Sequence, residues 1–400
     1  MRHRPDQVML TLAGLAYRGF HDLVRGVAHT DAVRQALLDG LHTLPPVKDD
    51  WSLVWGPVTS RSGPDAFDSA AMYVVRHRRD PARHVVAIRG TNPIAASDWL
   101  FGDFWVSTTV PWPYARTADR VAVSASTALG LSKLQTMRSP RLPSEPAAAE
   151  GRPAVPREAL ERQVAEIAAG WCRFLEEPSA WLGDRVVDRL KTAVGLPWMD
   201  LRPRPPAPAG NDDTQDLLSF LTEAARATDE PLDLTVTGHS KGGALASTVA
   251  LWLKDALASA DAAEHWDGRR EACVSCYAFA APTPGNAAFA NRIDRVLGRH
   301  HHHLRNTNDV VTHAWQADEL AQIPNLYAPR HTVLERLIPV IVSRVKGLDY
   351  RQARAGVTTF AGALDPARSF PAEFIHQHLD AYLDELNLRA DGLTALTFFF

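Results

Sequence analysis

Residues 234–247 read LTVTGHSKGGALAS, and within them Gly238-His239-Ser240-Lys241-Gly242 sets a serine between two glycines. Small residues two before and two after let the backbone fold sharply enough to present the hydroxyl. The preceding run is apolar and β-branched and the following one alanine-rich, so Ser240 falls on a strand-to-helix turn. The free N–H groups at the start of such a helix favour negative charge developing on a carbonyl oxygen. A serine there becomes a nucleophile when a histidine takes its proton and an acid orients that histidine. The stretch HHHLRNTNDVVTHAW carries Asp309 just past a predicted strand, in a polar turn between Asn308 and Val310, and EFIHQHLDAYL supplies His376 and His378. The order serine, acid, histidine points to acyl-transfer chemistry with Ser240 as nucleophile and Asp309 as the orienting acid.

The two histidines are alternatives for the base. Two positions apart, they point in separated directions on a helix or a strand, so one of them faces Ser240. Leu379, Tyr382 and Leu383 set an apolar helical face; His378 lies one turn before Tyr382 and shares that face, while His376 lies further back. His378 is the expected base and His376 its alternative.

These residues need a frame. AMYVVRHRRDPARHVVAIRGT splits into two apolar runs around a charged turn at Asp80-Pro81, a β-hairpin that delivers Gly90-Thr91 at the end of its second strand. Trp99, Leu100, Phe101, Phe104 and Trp105 follow in close succession, more aromatic surface than a plain connection needs, so this stretch reads as a buried helix or a mobile lid. Proline-rich breaks at 139–156 and 202–213 flank a helical insertion. From 214 onward helix and strand alternate: a helix near 214–228, the strand LDLTVT, the helix after Ser240, the strand CVSCYAFAAP, a helix near 286–297 and the strand HHLRNT. Alternation of this kind predicts an α/β fold with a mainly parallel central sheet flanked by helices. One catalytic domain results, with an N-terminal part over 1–138, the insertion over 139–213 and a C-terminal part over 214–400.

With 400 residues, 46% hydrophobic and 22% charged, the chain has material for a large core, and its formal net charge of -3 gives no sign of a nucleic-acid partner. Cys273 and Cys276 are separated by two residues, but in a sequence that reads as a buried strand with no second ligand pair, and Cys172 stands alone. His300 to His303 would alternate sides of a strand with no carboxylate or cysteine partner near, so no metal is expected, nor any other cofactor. The N-terminus, with a basic start and a short apolar run, reads as an amphipathic first helix rather than a signal peptide, and no stretch reaches the length of a membrane span. A soluble, cytoplasmic protein is expected, with secretion as the alternative.

Four separate pieces resemble the class 3 lipases, related to fungal triacylglycerol lipases: VVAIRGTNP with Arg89-Gly90-Thr91, VTGHSKGGALA around Ser240, APTPGNAAFA with Pro282, Gly285 and Asn286, and NTNDVV with Asp309. The resemblance covers about residues 70–130 and 214–385. It implies the α/β-hydrolase fold and an oxyanion hole built from Thr91 and the backbone N–H of Lys241. It also implies that the segment after Thr91, with its cluster from Trp99 to Trp105, is a lid that moves at a lipid surface. Gln377-His378 followed by Tyr382-Leu383 is similar to the pattern around the base in bacterial members. Lys241 departs from the family's usual leucine, leaving the backbone donor intact but adding charge to the wall of the acyl site. The implied activity is hydrolysis of lipid carboxylic esters through an acyl-enzyme, with a phospholipase or thioesterase using the same triad as the enzymatic alternative. A catalytically idle domain that binds lipid or protein is the alternative of another class.

Overall fold

The computed structural model describes residues 3–18, 30–62, 67–90, 104–142, 201, 213–328 and 331–395. Among them seven strands form one sheet: β1 (Trp51–Ser62), β2 (Phe67–His77), β3 (Asp80–Arg89), β4 (Asp233–His239), β5 (Cys273–Phe279), β6 (His301–Asn306) and β7 (Val357–Phe360). They lie side by side in sequence order. The pairs β1–β2 and β2–β3 are antiparallel, and every pair from β3 to β7 is parallel. The hairpin read at residues 71–91 is thus β2 and β3, and the helix–strand alternation after residue 214 supplies the parallel half.

Among the described residues the longer helices are α1 (Pro5–Leu15), α2 (Thr30–Thr43), α3 (Ala125–Thr136), α4 (Leu217–Arg226), α5 (Lys241–Leu257), α6 (Ala287–Val296) and α7 (Thr332–Val345). Successive side chains of a strand point to opposite faces, and here both faces are apolar because both are covered. Met72, Val74, Val86, Ile88, Leu234 and Val236 pack in one core with α3, α4, α5 and α6. Their neighbours Tyr73, Val75, Val85 and Ala87 pack in a second core with α1, α2 and the C-terminal residues Tyr382 and Leu383. A third, smaller cluster sets α7 against Val310, Val311 and Trp315, behind the loop that carries Asp309.

Helix α1 differs from its expectation. Met9 to Leu15 are all buried, so the helix is enclosed rather than amphipathic. Thr237 Oγ1 donates to the Met9 carbonyl and the Tyr73 hydroxyl to that of Leu12, which satisfies backbone acceptors of a helix surrounded by protein. The helical insertion read between the proline-rich breaks lies, apart from its ends, outside the described residues. At those ends Arg138–Pro140 pairs antiparallel with Thr214–Asp216, and Leu201 within the segment is buried in the first core and accepts a hydrogen bond from Gln135 at its carbonyl.

Candidate active site

Strand β4 ends at His239 and α5 begins at Lys241. Ser240 lies between them at φ 60°, ψ −135°, a conformation that a non-glycine residue holds only when its surroundings impose it. Its N–H donates to the Phe279 carbonyl at 2.9 Å, and its own carbonyl accepts from Gly243 at 2.8 Å. The flanking glycines are there for space. A Cβ on Gly238 would stand 2.2 Å from the Gly242 carbonyl oxygen, and one on Gly242 would stand 2.4 Å from that of Ile88. Lys241 opens α5, so its N–H sits at the positive end of the helix dipole.

Asp309 follows β6 and is wholly buried. Its carboxylate is held from three sides. Val311 N–H donates to Oδ1 at 2.9 Å, the Tyr382 hydroxyl donates to Oδ2 at 3.0 Å, and His378 Nδ1 lies 2.9 Å and 3.0 Å from the two oxygens. An acceptor-only carboxylate against Nδ1 assigns the ring proton to that nitrogen and leaves Nε2 as the basic one. His378 occupies a wide π turn, His376–Asp380, between the short helices Phe370–Ile375 and Ala381–Glu385. Turns of this kind recur where a side chain must leave helical register. The His378 ring stacks on Phe374 at 5.9 Å and lies 4.6 Å from the ring of His239, the residue before Ser240. His376 faces elsewhere, with Nδ1 3.9 Å from Asp380.

Two supports of His378 escape the sequence reading. Gln377, fully buried, accepts from Asn306 Nδ2 at 2.7 Å and donates to Glu373 Oε1 at 2.7 Å, fixing the residue before His378. Tyr382 reads in the sequence as part of the apolar face of its helix. Its ring does pack there, and its hydroxyl reaches Asp309 while accepting the Asn306 N–H at 3.0 Å. A polar tip one turn beyond His378 is the available signal. Burial pushes the imidazole of His239 well below its usual range, with the nearby His378 adding to the effect. The ring is neutral, and Nε2 donates to the His378 carbonyl at 2.9 Å.

Thr91 and Trp99, Leu100 and Phe101 of the expected lid lie outside the described residues, as do the side chains of Phe104 and Trp105. Gly90, just before Thr91, is described: its N–H donates to the Tyr17 hydroxyl at 3.1 Å. Beside Lys241 a cavity of about 20 Å³ is lined by Ser126, Thr127, Thr283, Leu245 and Trp315. Thr283 Oγ1 is buried there without a partner, and Trp315 sits at φ 82°. Of the histidine run, His301 and His303 turn inward and His302 outward; His301 Nε2 lies 3.0 Å from Ser247 Oγ. Among the described residues no three His, Cys, Asp or Glu side chains are grouped to hold a metal, and no helix is long and apolar enough to cross a membrane.

Residues 211–319, which hold the elbow and Asp309, match the family model described as lipase (class 3). The solved structure of M37 lipase superposes with a TM-score of 0.71 at 26% identity, covering 99% of this chain and 97% of that one. The chain is a carboxylic ester hydrolase similar to lipases. Two other lipases match with lower scores. Rhizomucor miehei lipase in a propeptide complex is 14% identical over 76% of this chain and 62% of that one, with a TM-score of 0.35. A triacylglycerol lipase from Penicillium expansum is 10% identical over 93% and 84%, with a TM-score of 0.36. No curated protein matches.

Proposed function

We propose that this hydrolase cleaves carboxylic esters of lipids through Ser240, His378 and Asp309 by way of an acyl-enzyme. The observation that carries the proposal is the contact of His378 Nδ1 with the buried Asp309 carboxylate, next to an elbow that holds Ser240 at positive φ. Ser240 Oγ attacks the ester carbonyl carbon and its proton passes to His378 Nε2. The carbonyl oxygen, now an oxyanion, takes the Lys241 N–H and the proposed donor Thr91. Collapse expels the alcohol, which leaves with the proton from His378. Water then repeats the sequence on the acyl-enzyme, releasing the carboxylic acid and restoring Ser240. Asp309 stays ionised throughout, orienting the ring and stabilising the imidazolium.

A fluorophosphonate probe tests the nucleophile: the wild type is expected to label at Ser240 and Ser240→Ala to remain unlabelled, while an unlabelled wild type would make the domain catalytically idle. Rates on p-nitrophenyl esters of increasing chain length then set the acyl class. A second reading, a phospholipase, draws on the hydroxyl-rich cavity beside Lys241. Phospholipid vesicles assayed alongside triacylglycerol emulsions decide between the two, by which substrate releases fatty acid faster.

A further inference from the structure

We infer that Tyr17 is a positioning residue for this hydrolysis: from just beyond the N-terminal helix, its buried hydroxyl ties the strand end that leads into the oxyanion donor to the residue before the nucleophile. The inference rests on the proposed roles of Ser240 and Thr91. The hydroxyl accepts the Gly90 N–H at 3.1 Å and donates to the His239 carbonyl at 3.1 Å, and Tyr17 is only 3% exposed. Strands β3 and β4 run parallel up to the pair Ile88 and Gly238. Past that pair the backbones still lie close, since a Cβ on Gly90 would come within 2.8 Å of the His239 carbonyl oxygen. The Tyr17 oxygen stands where the ladder ends, one atom joining a donor on β3's side to an acceptor on β4's.

In the proposed mechanism the spacing of those two backbones governs the oxyanion hole, because one proposed donor follows Gly90 in sequence and the other follows Ser240. Attack on a carbonyl is sensitive to small errors in such a spacing, since the donors must meet the oxyanion and not the ground-state oxygen. Tyr17 can define it because its own base is fixed. Its N–H bonds the Gly14 carbonyl at 3.0 Å, and α1 is locked to the sheet through Thr237 and Tyr73. The tie extends to the base as well. His239, held at its carbonyl by Tyr17, donates from its ring to the His378 carbonyl and meets the Tyr17 ring edge-on at 6.2 Å. Oxyanion strand, nucleophile elbow and base turn therefore share one anchor, supplied by a helix that carries none of the proposed reacting groups.

The test compares Tyr17→Phe with Tyr73→Phe, since both remove a buried hydroxyl that binds a backbone carbonyl next to α1. Activity is counted per active site titrated with a fluorophosphonate, so unfolded protein drops out. Tyr17→Phe is expected to lower kcat on p-nitrophenyl butyrate about tenfold or more with KM within about twofold, and to slow labelling of Ser240 by a similar factor. Tyr73→Phe is expected to lose stability and keep its kcat. Wild-type kcat and labelling rate per site in Tyr17→Phe would overturn the inference, as would an equal loss in Tyr73→Phe. Absence of labelling in the wild type would instead remove the proposed function and this inference with it. If Tyr17→Phe cannot be purified folded, 4-aminophenylalanine at position 17, which keeps a hydrogen-bonding group on the ring, is expected to stay within about threefold of wild type in kcat. An amino variant that titrates fully yet loses tenfold in kcat would overturn the inference too.

Discussion

The hydroxyl of Tyr382 donates to Oδ2 of Asp309 at 3.0 Å, in a site where the carboxylate has no contact with solvent. An ionised carboxylate in such surroundings depends on the donors aimed at it, and this one has three. Removing the hydroxyl also strands the Asn306 N–H, for which it is the acceptor. Tyr382→Phe should therefore cost about 1–3 kcal/mol of stability, read as a lower urea midpoint. Its kcat should fall far less than that of Asp309→Asn, which turns the His378 ring to the wrong tautomer and should lose on the order of ten-thousandfold.

His378→Ala should abolish turnover, by on the order of a millionfold in kcat, because Ser240 is then left a neutral alcohol. His376→Ala should stay within about threefold, since its nearest charged partner is Asp380 rather than Asp309. Steady-state kinetics on a soluble ester separates the two variants, and the reverse order would move the base to His376.

Gly238→Ala and Gly242→Ala should each destabilise by roughly 1–3 kcal/mol or more, because the added methyl meets backbone rather than a side chain that can swing away. Gly268→Ala, whose added methyl would meet nothing within 4 Å, is the matched control and should be close to neutral. Thermal unfolding of the three proteins reads the difference.

Burial pushes the imidazole of His303 down to about 3 and that of His84 down to about 4. In the unfolded chain both titrate near pH 6.5, so between about 6.5 and 4 the unfolded state binds protons that the folded state refuses. Stability should be level above that window and fall as pH drops through it, giving a lower Tm at pH 5 than at pH 7.5. His303→Gln should flatten that dependence; an unchanged slope would show that His303 charges at little cost in the fold.

The elbow is legible because its demands are local. Two glycines, an apolar run before and alanines after fix the turn in the chain itself, and Asp309 announces itself by following a predicted strand in a polar turn. The strand–helix alternation after residue 214 is readable for the same reason. What escapes depends on contacts between distant segments. Tyr17 looks like any tyrosine at the end of an apolar run, and only the fold brings it to His239. The enclosure of α1 depends on β4, more than two hundred residues later, so nothing within the helix itself points to apolar cover on every side. Strand β1 is hidden by Gly56-Pro57, which reads as a turn yet lies inside a strand whose register shifts between Trp55 and Val58.

Tyr17 meets a residue 222 positions further along, and Gln7 donates to the Leu386 carbonyl 379 positions away. Closing such loops costs little extra free energy, since each doubling of length adds only about 0.6 kcal/mol. The burden falls on time. At about 5–20 residues per second, a ribosome needs about ten to forty seconds after releasing α1 before β4 exists to receive it. During that interval Met9, Leu10, Leu12 and Leu15 can pack against α2, β2 and β3 but lack the cover that β4 supplies. Until β4 is made, the nascent chain carries one flank of this apolar helix as an unclaimed sticky surface.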